Sequence, residues 1–131
     1  MRIYMDTSAL VKLVVAEEES ESLRSFLAEH ARDSLFTAAL ARTELLRAVA
    51  PGGAQATSDA RNLLSRLDTV ALTSKLLDDA GTLRPLRLRS LDAIHLVAAR
   101  RAGDTLRTVV TYDTRMLSAA ADLGVETASP R

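Results

Sequence analysis

The chain contains no cysteine. No disulfide framework, thiolate metal site or cysteine nucleophile can therefore exist in it. This fits a reducing compartment, and the expected location is the cytoplasm. Tryptophan is also missing, and aromatic residues make up only 3% of the chain. So few rings exclude an extensive base-stacking platform. Formal net charge is zero, which removes a whole-molecule basic field for gripping a polyanion. Any such grip has to be local. No apolar run approaches the ~20 residues of a membrane span. The first apolar stretch is short and is interrupted by Asp6, unlike a secretory signal.

What is present is ordinary for a globule: 131 residues, 47% hydrophobic and 26% charged. One domain over 1–131 with a single core is expected. Only Lys12 and Lys75 are lysines, and the other basic residues are arginines. Arginine is the better bidentate phosphate ligand, but an Ala/Arg-rich chain is also what a GC-rich genome produces, and that is the simpler reading.

Strand and helix signals alternate. Arg2 to Met5 reads as a strand and Ser8 to Ala16 as a helix. Leu23, Phe26, Leu27 and His30 give Ser20 to Arg32 one helical face. Glu17, Glu18, Glu19 and Glu21 stand where the helix dipole favours anions. Leu35 to Thr37 is a second strand. Ala38 to Ala50 is a helix ended by Pro51-Gly52-Gly53, and Ala60, Leu63, Leu64 and Leu67 mark the next. Val70 to Leu72 is a minimal strand, followed by a helix over Ser74 to Leu83. After Arg84-Pro85, Leu91 to Ala102 is a nearly all-apolar helix that should be deeply buried. Leu106 to Thr111 is the clearest strand, and Arg115 to Ala121 a last helix with Gly124 placed as its C-terminal cap. Val125 to Thr127 is a short final strand. Apolar rather than alternating strands between helices argue for an α/β fold, with a parallel sheet covered on both faces. Ligands in such folds bind beyond the carboxyl ends of the strands.

Carboxylates gather on that side. Asp6 and Asp113 each follow a strand directly. Asp92 opens the buried helix, two residues after Ser90, an expected N-cap. Glu44 lies mid-helix, with Ala41, Leu45 and Ala48 near it on the packed side. Singly, each has a structural explanation as a helix cap or an arginine partner. Packed together without a cation, they would repel one another and raise each other's pKa values. A divalent ion removes the conflict, and an all-oxygen ligand set suits Mg²⁺ or Mn²⁺.

The stretches MDTSALVKL, TAALARTELLRA, LRSLDAIHLVAARRAG and VVTYDTRML resemble, in order and along the whole domain, those of PIN-domain ribonucleases, specifically the VapC toxins of type II toxin–antitoxin pairs. The resemblance implies a three-layer α/β/α fold with a short, mostly parallel sheet of four or five strands. It implies that Asp6, Glu44, Asp92 and Asp113 are the catalytic, metal-binding acids, with the hydroxyls of Ser8, Thr111 and also Thr7 beside the metal. It further implies Mg²⁺-dependent cleavage of single-stranded or looped RNA, such as a tRNA or a ribosomal loop, with Mn²⁺ able to substitute, and inhibition by a VapB-type antitoxin. One departure stands out. The further acid that some PIN nucleases carry is absent, because that stretch reads Thr114, Arg115, Met116, Leu117. A second metal would be held less well.

Other residues complete the expectations. His95 lies one turn after Asp92 and reads as a buried helix histidine bonded to backbone or a neighbouring side chain. His30 reads as a packing residue. Arg84, Arg87, Arg89 and Arg115 stand close enough to the acids to rim the site and meet RNA phosphates. SALVKLVVA is apolar on more than one face, so a groove lined by Leu23, Phe26 and Leu27 is expected to take an amphipathic helix of the antitoxin. A homodimer is the competing use of that surface. A receiver domain would need an adjacent acid pair and a lysine after the last strand. A haloacid-dehalogenase-type phosphatase would need an acid where Ser8 stands. The remaining alternative is a non-catalytic metal- or protein-binding module with a PIN-like fold.

Overall fold

The central strand β1 (Arg2–Met5) is also the first in the computed structural model, which describes residues 1–131. It lies between β2 (Ser34–Ala38) and β4 (Leu106–Val110), with β3 (Asp68–Val70) outside β2 and β5 (Thr127–Ala128) outside β4. Every neighbouring pair is parallel. Parallel strands need crossovers, and helices supply them. α1 (Thr7–Val14) and α2 (Ser20–Glu29) join β1 to β2. α3 (Leu40–Val49), a 3-10 turn over Ala50–Gly52 and α4 (Gly53–Ser65) join β2 to β3. α5 (Ser74–Gly81) and α6 (Ser90–Arg100) lead to β4, and α7 (Thr114–Asp122) leads to β5.

The side-chain alternation of β1 divides the core. Ile3 and Met5 pack with Ala9, Leu10, Leu23, Ala41, Leu45 and Leu64, the inner faces of α1 to α4. Tyr4 points the other way, into Phe36, Leu76, Ala93, Val97 and Val109, where α5 and α6 cover the sheet. With both faces covered, every strand position can be apolar. This is the expected three-layer α/β/α arrangement, with five strands, all parallel. No helix is long and apolar enough to cross a membrane.

Chain direction on the sheet sets up the site. From β1 the chain steps outward to β2 and β3, then returns to the other side of β1 as β4. The strand order reverses between β1 and β4, which opens a crevice at their carboxyl ends. Asp6 and Asp113 follow those two strands.

Some details differ from expectation. β3 and β5 sit about two residues from where their apolar residues suggested, because a short edge strand takes its register from its single partner. β2 continues to Ala38, so α3 begins at Leu40. Ser90 is the first residue of α6 and the capping position falls to Arg89, which has no side-chain cap bond. Glu17 and Glu19 do more than complement a helix dipole. They hold the ammonium of Lys12, at 3.3 and 2.7 Å, and the same ammonium lies over the Tyr112 ring. Leu23, expected to line a partner groove, is wholly buried in the core, and Phe26 and Leu27 are half-buried against it. Gly124 does end α7. Its φ of +67° is the left-handed conformation a cap needs, and Gly124 and Val125 donate back to Ala121 and Ala120 in a Schellman pattern.

The two-sided core makes a direct prediction. Leu64, on α4 far from the strand ends, is 1% exposed, whereas Leu86 is 63% exposed. Leu64→Ala should cost about 2–5 kcal/mol in urea unfolding, and Leu86→Ala should stay within about 0.5 kcal/mol.

Candidate active site

Asp6 is only 5% exposed. A carboxylate taken this far from water needs hydrogen bonds. Two hydroxyls supply them, and both act on the same oxygen: Ser8 Oγ donates to Oδ2 at 2.9 Å and Thr111 Oγ1 donates to Oδ2 at 2.7 Å. A hydroxyl has one proton, so the 3.3 Å approach of Ser8 to Thr111 is a packing contact between two groups already committed. Each hydroxyl also accepts a backbone N–H from the turn after β4: Tyr112 N donates to Ser8 at 2.9 Å, and Asp113 N to Thr111 at 3.1 Å. The β4–α7 turn is thereby tied to Asp6, while Oδ1 of Asp6 receives no hydrogen bond.

Glu44 repeats the pattern. It stands on α3 and is half-buried beside Ala41 and Leu45, although Ala48 faces solvent. Thr7 Oγ1 and His95 Nε2 both donate to its Oε1, each at 2.7 Å. Oε2 is left free. His95 is 2% exposed. Its other nitrogen meets the Tyr4 hydroxyl at 2.5 Å, and its Nε2 lies 3.7 Å from Asp6 Oδ1. Glu44 is therefore partnered by His95 and Thr7 rather than by any of the arginines.

Asp92 and Asp113 complete the cluster. With Glu44, Arg89 and Arg115 they line one cleft. Asp113 caps α7, its Oδ1 accepting from Arg115 N at 2.9 Å. Burial, and then the charges of Asp113 and Asp6, push the Asp92 carboxyl above the ordinary 3.8. All the acids proposed from the sequence thus come from separate elements to one end of the sheet. Arg87, Arg89 and Arg115 border a second depression that shares Asp92 with this cleft. Sequence reading missed the part played by Tyr4. The available signal was a hydroxyl inside an otherwise apolar strand, which has to find a partner.

A metal fits this site in donor chemistry more than in present spacing. No three acids or histidines stand close enough to share one ion. The donors are nonetheless all carboxylate and hydroxyl oxygens, the set a hard divalent cation takes. Asp6 and Glu44 each keep an unbonded oxygen, and Asp92 and Asp113 are half-exposed.

The His95–Glu44 pair should govern stability against pH in metal-free buffer. Burial alone would lower the His95 pKa, but the bond to Glu44 and the charges of Asp6 and Glu44 outweigh it, and the net shift is upward from 6.5. Burial likewise opposes ionisation of Glu44, yet the bonds from His95 and Thr7 carry its pKa below 4.5. A raised histidine contributes stability below its unfolded value and loses it as pH climbs through the folded value. A lowered carboxyl contributes above its unfolded value and loses it as pH falls. The pair is therefore fully stabilising from about pH 4.5 to about pH 6.5. The melting temperature of the metal-free protein should decline above neutrality, and Glu44→Gln should flatten that decline. Equal slopes in the two proteins would remove the pair from the account.

Known proteins share the sequence and fold of this chain. The PIN domain family matches residues 3–122. The chain is 44% identical to Ribonuclease VapC46 of Mycobacterium tuberculosis over 128 residues, covering 98% of this chain and 97% of that protein. It is 46% identical to Ribonuclease VapC47 of the same species over 131 residues, covering 98% and 96%. Among solved structures, VapBC2 from Rickettsia felis, crystallised with a DNA fragment from its promoter, aligns over 100% of both chains with a TM-score of 0.76 at 18% identity. That last likeness concerns the fold. The chain belongs to the PIN domain family, in the company of relatives named VapC ribonucleases.

Proposed function

We propose that this protein is a ribonuclease toxin of a type II toxin–antitoxin pair, hydrolysing RNA phosphodiesters with a divalent metal held by Asp6, Glu44, Asp92 and Asp113. One observation carries the reading. Acids from four separate stretches of chain border the strand-order reversal, and Asp6 and Glu44 are each tethered through one oxygen and free at the other. Neither acid is paired with a lysine or arginine, unlike Asp122, which takes Arg87. A ligand site leaves one available. The relatives named as VapC ribonucleases support the same activity.

Bound Mg²⁺ or Mn²⁺ would supply a polarised phosphoryl oxygen, a more acidic attacking water and a screen for the dianionic transition state. The protein's own groups do the rest. Ser8 and Thr111 fix Asp6, and Thr7 fixes Glu44, so that neither carboxylate reorients as charge develops. Arg89 and Arg115, on the same cleft as Asp92 and Asp113, offset the repulsion between these acids and an RNA backbone. Arg87 stands 2.9 Å from Asp122 and is partly committed to it. Since aromatics are few, RNA is held by its phosphates and shape more than by stacked bases, which favours loops and exposed single strands such as those of tRNA or ribosomal RNA.

Metal and catalysis are tested together. Millimolar Mn²⁺ should raise the melting temperature of the wild-type protein, because it binds only the folded state. Asp6→Asn, Glu44→Gln, Asp92→Asn and Asp113→Asn should fold, lose that rise, and cleave RNA about 100-fold more slowly, the scale of removing a group that stabilises developing charge. Full activity in any of these variants removes that residue from the site. An unchanged wild-type melting temperature at saturating metal favours the alternative, a non-catalytic module.

The proposed partner is a VapB-type antitoxin, in keeping with the VapBC2 neighbour. Leu23 is unavailable to it. Val11, Leu13 and Val14 of α1 and Phe26 and Leu27 of α2 remain half-buried and form the apolar side of the proposed docking groove. An arginine from the partner could reach the acids and take the metal's place. Phe26→Asp should weaken antitoxin binding at least tenfold while RNA cleavage by the free protein persists. Sizing of the free protein reads the expected homodimer in the same experiment. Unaltered binding by folded Phe26→Asp places the groove elsewhere.

A further inference from the structure

Tyr4, His95 and Glu44 form a continuous chain from the middle of the core to the acid cleft. Tyr4 is wholly buried and His95 is 2% exposed. Edge contacts hold the Tyr4 ring against Phe36, with centroids 5.1 Å apart, and against His95, at 5.9 Å. The phenol oxygen meets Nδ1 at 2.5 Å. On the far side of the ring, Nε2 faces Glu44 Oε1 at 2.7 Å. An ionised carboxylate only accepts, so Nε2 carries a proton. In the neutral ring Nδ1 then holds a lone pair and accepts the Tyr4 hydroxyl. The carboxylate thus sets the tautomer, the phenol holds the rotation of the imidazole, and the imidazole grips one oxygen of Glu44.

We propose that Tyr4 and His95 are positioning residues: Tyr4 orients His95, and His95 with Thr7 pins Oε1 of Glu44 so that Oε2 is presented to the cleft as a preset ligand. The inference rests on the reading of Glu44 as a metal ligand. Glu44 needs such a device. Its side chain is long and half-buried, and untethered it would sample many rotamers, each of which binding would have to exclude. The three donors to this carboxylate and its tether come from β1, α1 and α6, so the presentation of Glu44 depends on the packing of the sheet against both helical layers. The Tyr4 hydroxyl has no other hydrogen-bond partner. It is spent on the nitrogen opposite the Glu44 bond.

The test is a coupling cycle read as Mn²⁺ affinity of the full chain without RNA, by electron paramagnetic resonance of the free ion. Tyr4→Phe keeps the ring that packs on Phe36 and loses only the hydroxyl. It should weaken Mn²⁺ binding by about tenfold, the lower end of effects from groups that orient a metal ligand. Glu44→Gln should weaken it more. The double variant should match Glu44→Gln alone within about twofold, because Tyr4 acts only through Glu44. With RNA, Tyr4→Phe should lower kcat and leave KM unchanged. A second pair guards against misfolding of the first. The amide nitrogen of His95→Gln reaches the place of Nε2, whereas that of His95→Asn reaches the place of Nδ1. Glutamine should therefore retain Mn²⁺ affinity within about threefold of wild type, and asparagine should not. Additive losses in the cycle, or equal affinities for the two His95 variants, overturn the inference while the metal reading stands. A wild-type protein that binds no Mn²⁺ overturns the metal reading, and this inference falls with it.

Discussion

The burial of Asp6 is the constraint around which the rest is arranged. A carboxylate at the end of the central strand, 5% exposed, would be intolerable without donors. The donors are Ser8, at the first turn of α1, and Thr111, just past β4. Satisfying one charge therefore fixes the direction in which α1 leaves β1. It also fixes the pairing of β1 with β4, strands separated by about a hundred residues of chain. The same hydroxyls accept N–H groups from Tyr112 and Asp113, so the turn that carries Asp113 is set by the acid it sits beside. Breaking any member leaves a buried polar group unpaired, which costs more than the bond itself contributes.

Around that point the protein gathers carboxylates with few cations of its own beside them. Asp92 is pushed upward by burial and by Asp113 and Asp6, the mark of carboxylates held against mutual repulsion. His95 is the one imidazole within the cluster's interior, and Arg89 and Arg115 lie at its edge. Folding alone gives no reason to tolerate this. The alternative of pairing each acid with an arginine was open to a chain so rich in them, and it is used elsewhere: Asp122 takes Arg87 and Asp79 takes Arg101. Charge and unbonded oxygens kept in this way are what the proposed cation would use.

Much of the fold was legible because a parallel sheet buried on both faces writes its central strands as continuous apolar runs. RIYM and LRTVV were read nearly to the residue. The edge strands were not, since Asp68–Val70 and Thr127–Ala128 owe their place to one neighbour's register rather than to their own side chains. The acids could be named from their positions after strands and at helix starts, together with a family resemblance. Their partners could not. Nothing in the local sequence of Tyr4 or Thr7 says that one lies behind His95 and the other above Glu44, because both contacts span long stretches of chain. Leu23 was misjudged for a related reason. An amphipathic stripe gives the direction of the core but not its depth, and here the core extends far enough to bury Leu23 while leaving Phe26 and Leu27 half-exposed.

The composition of the chain limits how it could hold RNA on the proposed reading. Of the two tyrosines and two phenylalanines, Tyr4 and Phe36 are in the core, Tyr112 lies under Lys12 and Phe26 packs on α2 beside His30, so none of the four lines the acid cleft. Zero net charge offers little long-range attraction either. Recognition is left to a few arginines beside the acids and to the shape of an RNA that already exposes its backbone. On the proposed reading, stacked bases contribute little and the phosphates that reach the cleft between β1 and β4 contribute more. The chemistry then needs only that the carboxylates be still when the phosphate arrives, and the hydroxyl and imidazole tethers on one oxygen of each are what hold them so.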